Sequence, residues 1–289
     1  MRIVPAPSLN CPHDGGALLI RGNSYGCAKG HSFDRSKEGY INLLPVADKA
    51  SLDPGDSRDM VTARHRFLGT GAYAPIADAV ADVATGLIDT ADPTRPFAVL
   101  DAGCGEGYYL QMLAAALTAH ASPATAHFAG IDISKWAVRA AAKRQVPATW
   151  IVASNRRPPF PKNSTNLILC LFGFPLWPGF ASIQPAGGQV LLVDPGPDHL
   201  IELRQIIYPE VRIAERAALL NADGYAQISE RRVRASAHLA SPAIIADLLS
   251  MTPHAHRASA DGRIALAARA QLDITIDVVL RVFSRDAIC

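Results

Sequence analysis

One segment constrains this chain more than any other: Val99-Leu100-Asp101-Ala102-Gly103-Cys104-Gly105-Glu106-Gly107. A short apolar run from Phe97 to Asp101 delivers the backbone to three glycines in five residues, and a helical stretch follows to about Leu117. Glycine tolerates the tight reversal and lets a ligand approach the backbone closely. A helix opening directly after the turn points its free N–H groups at the same place. The next apolar run, His127 to Asp132, ends on a carboxylate thirty-one residues after Asp101. An acid at that position can accept both hydroxyls of a ribose. The segment predicts a nucleotide-type ligand at the end of a buried strand.

The alternation continues downstream. Ser134 to Arg144 reads as a helix, while Thr149–Ala153, Leu167–Phe172 and Gln189–Val193 read as strands. Strands and helices in this order predict an α/β fold with a mainly parallel sheet and helices on both faces. Leu272 to Phe283 alternates apolar and polar residues, which suits an edge strand of opposite direction. Upstream, Ser57 is placed to cap a helix carrying Met60, Ala63, Phe67 and Leu68, and a second helix runs from Pro75 to Leu87. Residues 46–90 are therefore a helical connector, the first part of a large domain covering 46–289. Residues 1–45 differ, with short apolar runs, turn signals and most of the candidate metal ligands, and read as a separate small module.

Composition excludes several classes. The chain has 289 residues, 49% of them hydrophobic, enough to bury a core. The longest apolar run, Leu167 to Trp177, has eleven residues, about half of what a bilayer-crossing helix needs. The opening MRIVPAPSLN lacks the apolar core of a secretory signal. The expectation is a cytoplasmic protein with no membrane partner. Five cysteines do not make a disulfide framework: Cys104, Cys170 and Cys289 are scattered, whereas Cys11 and Cys27 each have a histidine nearby. A net charge of +2 neither requires nor excludes a nucleic-acid partner.

The acids in the glycine turn choose between nucleotides. Asp101 and Glu106 would repel a pyrophosphate. They suit a cationic, phosphate-free ligand such as S-adenosylmethionine, whose sulfonium and ammonium are positive. The competing role for Asp101 is to tie down the turn.

At this point the residues resemble a known family. DAGCGEGYY resembles the cofactor motif of class I methyltransferases, whose fold is Rossmann-like. CAKGHSFDRSKEGYINLLP (27–45), DPGDS (53–57), Arg64-x-Arg66-Phe67-Leu68 with GAY (71–73), DISKWAVRAAAKR (132–144), VASNRRPPF (152–160), PGPDHLIELRQIIY (195–208) and MTP (251–253) are similar to the 23S rRNA (guanine-N1)-methyltransferases of the RlmA type. The resemblance implies a small N-terminal zinc-ribbon-like module for RNA recognition on a class I methyltransferase domain. It implies methyl transfer to N1 of one guanine in a hairpin of bacterial 23S rRNA, with macrolide resistance in some members. It carries cofactor contacts onto Tyr73, Gly105, Glu106 and His199, to which the loop argument adds Asp101, Gly103 and Asp132. Members often work as homodimers, on which this sequence is silent.

Two stretches depart from the family. Its zinc module pairs C-x-x-C with C-x-x-x-H. Here Cys27 and His31 keep the second pair, but Asp14 stands where the first pair has its second cysteine. Cys11, Asp14, Cys27 and His31 would complete a tetrahedral zinc site, and His13 is the alternative to Asp14. A degenerate, metal-free module is the other possibility. After the fourth strand, where the fold places target-base contacts, Leu171 to Trp177 is aromatic and without an ionisable group. Phe172 and Phe174 are candidates to sandwich an extruded guanine.

Guanine N1 carries a proton that must leave, and His199, Asp194 and water are the candidate acceptors. RNA contacts are expected from Lys29, Arg35, Lys37, Arg64, Arg66, Arg156 and Arg157, lining a cleft between module and domain. Two other readings stay open: a small-molecule methyltransferase of an antibiotic pathway, and a non-catalytic cofactor-binding protein that grips rRNA.

Overall fold

The computed structural model describes residues 1–48, 51, 53–92, 94–120, 125–211 and 222–286, so Cys289 lies outside the described residues. The chain begins with β1 (Arg2–Pro5), the short strands β2 (Leu9–Asn10), β3 (Ala17–Arg21), β4 (Ser24–Gly26) and β5 (Ser32–Asp34), and β6 (Ile41–Asn42). β2 to β5 form a four-stranded antiparallel ribbon. β1 and β6 belong instead to the large sheet, where β1 pairs with β8 (Thr125–Asp132) and β6 with β9 (Thr149–Val152). The ribbon is thus an excursion between two strands of the main sheet, and residues 1–45 contribute β1 and β6 to that sheet as well as the ribbon.

The helices α1 (Arg58–Leu68) and α2 (Ala74–Asp89) follow the ribbon. The Ser57 hydroxyl accepts the Met60 N–H at 3.3 Å, capping α1 as its sequence signals. β7 (Phe97–Ala102), α3 (Tyr108–Ala119), β8, α4 (Lys135–Ala141), β9, β10 (Leu167–Leu171), α5 (Trp177–Ile183), β11 (Gln189–Pro195) and α6 (Ile201–Ile207) form the alternating section. The chain closes with β12 (Tyr225–Leu239), α7 (Pro242–Ser250), α8 (His254–Arg257), α9 (Ala260–Ala267) and β13 (Leu272–Arg285).

Among the described residues the large sheet has nine strands, in the order β12-β13-β11-β10-β7-β8-β9-β6, with β1 pairing along the first half of β8 and β9 along the second. From β6 to β11 neighbouring strands run parallel, and β13 is antiparallel to β11. β13 has the predicted direction but is not an edge strand, because β12 pairs along its whole length on the outer side. The edge strand reads QISERRVR over 227–234 and is mostly exposed. Its charges discourage further pairing and hide the apolar alternation that would announce a strand.

The two faces of the sheet carry separate cores. Val99, Phe128 and Leu169 pack with Phe67, Ile76, Val80, Leu110, Leu113 and Leu117 on the face covered by α1, α2 and α3. Leu100, Ile131, Ile151 and Ile168 pack on the other face with Phe160, Phe180 and the ribbon's Leu9, Cys11, Leu18 and Cys27. No helix joins β9 to β10. The ribbon packs over that connection, the Asn10 N–H donating to the Pro159 carbonyl at 2.9 Å.

Candidate functional site

β7 ends by burying Asp101, which is 1% exposed. Gly103 (φ 94°), Gly105 (φ 53°) and Gly107 (φ 82°) then take the chain through left-handed backbone into α3. The loop is pinned from β8: the Ile131 carbonyl accepts the N–H groups of Gly103 (2.8 Å) and Cys104 (2.9 Å). The Asp132 carboxylate accepts Gly105 N–H at 2.9 Å and Ser134 N–H at 2.8 Å, leaving lone pairs on both oxygens. A Cβ on Gly103 would meet nothing within 4 Å, so the loop opens onto free space there.

Three buried side-chain atoms among the described residues lack a hydrogen-bond partner: Asp101 Oδ1, Glu106 Oε1 and Tyr109 Oη. Asp101 lies at the end of β7, Glu106 on the loop and Tyr109 on the first turn of α3. Unsatisfied buried polar atoms are costly, and their gathering at one glycine turn marks where a polar ligand completes the site. Burial, reinforced by the nearby Asp132 charge, pushes the Asp101 carboxyl up to about 7. A cationic ligand would relieve that penalty. Glu106, also 1% exposed, is held through its other oxygen by Arg144, whose Nε lies 2.6 Å away, and by His65 Nδ1 at 3.2 Å. The chemistry of this donor set fits S-adenosylmethionine.

A ring cluster closes the site at the strand ends. Phe172 takes a left-handed backbone conformation (φ 56°) directly after β10. Its ring faces Tyr73 at 6.2 Å, His199 at 5.9 Å and Tyr109 at 6.3 Å between centroids. Tyr73 Oη lies 3.0 Å from His199 Nε2. The Asp277 backbone N–H donates to His199 Nδ1 at 3.2 Å. Since an amide N–H can only donate, that geometry assigns the ring proton to Nε2. Asp277 is itself fully buried and paired with Arg232, Nε to Oδ1 at 2.6 Å.

The predicted cofactor residues Tyr73, Asp101, Gly103, Gly105, Glu106, Asp132 and His199 thus converge around one loop. The predicted RNA residues do not stay together. Phe172 belongs to the ring cluster, whereas Phe174 is 78% exposed. Arg66 binds Asp247, with Nε 2.8 Å from Oδ2. Arg64 does not face outward: it pairs with Asp56, donates to the Met251 carbonyl, and packs beside Gly105. Arg157 pairs with Asp48, while Lys29, Arg35, Lys37 and Arg156 are exposed. Tyr109, Arg144, His65 and Asp277 had no predicted role. Tyr109 closes the glycine motif, Arg144 closes the 132–144 block and His65 lies between Arg64 and Arg66, whereas Asp277 comes from outside the quoted blocks.

In the ribbon, two tight turns present the metal candidates. Gly15 N–H returns to the Cys11 carbonyl at 2.8 Å and Gly30 N–H to the Cys27 carbonyl at 3.2 Å. One ligand atom each from Cys11, Asp14, Cys27 and His31 lies within 4.8 Å of the other three. A tetrahedral zinc with bonds of about 2.0–2.3 Å has donor–donor edges of about 3.3–3.8 Å. His31 Nδ1 lies 3.5 Å from Cys11 Sγ, 3.3 Å from Cys27 Sγ and 3.2 Å from Asp14 Oδ2. The Gly16 N–H, 2.8 Å from Oδ1, leads the bonds that hold the Asp14 carboxyl down at about 2, in the ionised state a metal needs. His13 stacks on Phe33 at 5.9 Å and stands outside the group. The donor set fits zinc.

Comparison with known proteins agrees with both halves. Residues 9–52 match the family model of the RlmA N-terminal zinc ribbon, and residues 99–183 match a methyltransferase domain. The chain is 32% identical over 284 residues to YxjB of Bacillus subtilis (strain 168), provisionally named a 23S rRNA (guanine-N1)-methyltransferase, covering 96% of this chain and 97% of that one. It is 32% identical to a 23S rRNA (guanine(748)-N1)-methyltransferase of Streptomyces fradiae, covering 73% and 74% of the two chains. A Bacillus halodurans structure described as a methyltransferase superposes with a TM-score of 0.46 at 13% identity, covering 70% of this chain and 98% of that one. With the ribbon, the cofactor loop and nearly the full length of a relative in common, the chain belongs to the RlmA-type family of 23S rRNA (guanine-N1)-methyltransferases.

Proposed function

We propose that the protein transfers a methyl group from S-adenosylmethionine to N1 of a guanine in a 23S rRNA hairpin. The observation that carries this reading is that its likeness to the relatives runs through the ribbon and the cofactor domain alike.

The cofactor supplies an electrophilic methyl on a sulfonium, so the protein chiefly aligns the acceptor and excludes water. Asp101 would meet the cofactor's positive charge and Asp132 its ribose, while Gly103 and Gly105 would leave room for contacts from the backbone. Phe172 would wall the space toward the target base, and the exposed Phe174, two residues on, would offer its ring to an extruded guanine. His199 acts as a donor that holds Tyr73, because its Nδ1 lone pair is engaged by Asp277. Asp194 is 3.5 Å from Arg281 in an ion pair. The N1 proton accordingly passes to water. Cys11, Asp14, Cys27 and His31 would hold a zinc that stiffens the ribbon, and Lys29, Arg35, Lys37 and Arg156 would meet phosphates.

The test uses tritiated cofactor and 23S rRNA lacking the modification, followed by reverse transcription. A methyl on N1 blocks Watson–Crick pairing, so incorporation should coincide with one new stop at a hairpin guanine. Tight cofactor binding without incorporation would favour the small-molecule enzyme or the non-catalytic reading.

A further inference from the structure

Several family-like blocks whose role the reaction leaves unexplained meet on one side of the cofactor loop. Arg64 of α1 joins them. Its guanidinium bonds to Asp56 in the 53–57 block and donates to the carbonyl of Met251 in the 251–253 block at 2.9 Å. The Ser134 hydroxyl holds the Asp56 carbonyl at 2.7 Å, so this anchor is itself fixed. Arg64 Nη1 lies 3.8 Å from where a Cβ on Gly105 would stand. A guanidinium has five N–H donors, and among the described residues these bonds use two.

Tyr109, on the first turn of α3, has its buried hydroxyl without a partner among the described residues, and Asp101 Oδ1 is in the same condition. The Tyr109 hydroxyl feels the charges of both Arg64 and Asp101. A ligand on the glycine turn therefore meets a carboxylate that only accepts and, beside it, a guanidinium and a phenol that donate. That pairing complements the two ends of an α-amino acid, ammonium to Asp101 and carboxylate to Arg64 and Tyr109.

We propose that Arg64 and Tyr109 are the receptor for the carboxylate at the amino-acid end of the cofactor, with Asp101 taking the adjacent ammonium. The assignment rests on reading the loop as an S-adenosylmethionine site. It moves Arg64 from the RNA surface to the cofactor, and it makes α1 the link between α7 and the loop.

Calorimetry on the full chain tests it with three probes: S-adenosylhomocysteine, its decarboxylated analogue, and methylthioadenosine, which lacks the amino-acid end. The wild type should bind S-adenosylhomocysteine at least about tenfold more tightly than the decarboxylated analogue. Arg64→Met and Tyr109→Phe should each erase most of that preference while binding methylthioadenosine as the wild type does, which also shows that they fold. Equal weakening toward all three probes, or an unchanged preference, overturns the inference alone. A wild type that binds none of the probes overturns the cofactor reading and the inference with it.

Discussion

The backbone N–H of Asp277 donates to His199 Nδ1 at 3.2 Å, and the far side of the same ring stands 3.0 Å from the Tyr73 hydroxyl. The imidazole is held as a donor toward Tyr73, and the tyrosine proton is left for the proposed cofactor. Replacing Tyr73 by Phe keeps the ring contacts with Phe67, Phe172 and His199 and removes one hydroxyl. The loss of about 0.5–1.5 kcal/mol typical of one hydrogen bond should weaken S-adenosylhomocysteine binding up to about tenfold. Thermal stability should also fall, because the buried His199 Nε2–H loses the hydroxyl that accepts it. A pH-rate profile that keeps its shape in His199→Gln would agree with a donor role; loss of an ionisation near neutrality in that variant would instead make His199 the proton acceptor.

Asp101 predicts a pH dependence with a definite sign. Its folded carboxyl sits at about 7 because of burial and then the Asp132 charge, against an ordinary value of 3.8. The raised value means the folded state holds this proton more tightly than the unfolded chain does. Its stabilising effect is complete below pH 4 and is lost as the pH climbs toward 7. Cationic ligand binding favours the ionised form, so the empty protein should release a proton on binding below about pH 7. Affinity for S-adenosylhomocysteine should fall as the pH drops from 7.5 to 5.5, by at most about tenfold per unit. Titrations in buffers of different ionisation enthalpy measure the released proton, and Asp101→Asn should abolish it.

Much of this site was legible because its geometry is local. Asp101, Gly103, Gly105 and Glu106 fall within six consecutive residues, and the glycine pattern alone demands a sharp turn after a buried strand. What escaped comes from far along the chain. Arg144 reaches Glu106 across 38 residues and Asp277 reaches His199 across 78, and no periodicity encodes such meetings. Arg64 looked like an RNA contact because a charge on an amphipathic helix reads as surface. Its true direction depends on where Asp56 and Met251 lie. The ribbon's place in the fold was hidden for a similar reason, since β1 and β6 are only four and two residues long and gain their meaning by pairing with β8 and β9.

Two glycines in the same loop should respond differently to alanine. Both Gly103 (φ 94°) and Gly107 (φ 82°) sit in left-handed backbone, which costs an L residue about 1–2 kcal/mol. At Gly107 the added Cβ would also lie 2.9 Å from the Trp150 ring and 3.1 Å from Ala141 Cβ. Such overpacking adds about 1–3 kcal/mol, so Gly107→Ala should be the less stable variant in urea titrations. Gly103→Ala should unfold later than Gly107→Ala yet lose cofactor affinity more severely for its stability, because its methyl projects into the ligand's space.

Zinc should matter to the whole fold. Cys11 and Cys27 share a buried cluster with Ile131, Ile151 and Ile168 of the main sheet. Stripping the metal with a chelator should lower the melting temperature of the full chain by several degrees, rather than melting the ribbon alone. Asp14→Ala should purify with less than one zinc per chain, and Asp14→Cys should retain the metal against higher chelator concentrations, as a third thiolate makes a softer site. Full zinc retention in Asp14→Ala would shift the fourth ligand to another residue, with His13→Ala as the deciding variant.

Replacing Phe174 should separate RNA recognition from cofactor binding. Phe174 is 78% exposed on the connection between β10 and α5, so its ring is accessible to a base. Its neighbour Phe172 is committed to the rings around Tyr73 and His199. Stacking one base on an aromatic ring is worth about 1–3 kcal/mol. Phe174→Ala should therefore lower transfer to 23S rRNA about tenfold or more while leaving the affinity for S-adenosylhomocysteine unchanged. Phe174→Trp should restore most of the transfer, since any flat ring can stack. Phe172→Ala should harm both, because the same ring packs on Tyr73 and His199, the proposed cofactor contacts, and follows β10 at the proposed acceptor side. Unaltered transfer in Phe174→Ala would move the base contact away from this loop and leave the phosphate contacts of the ribbon as the main determinant of RNA binding.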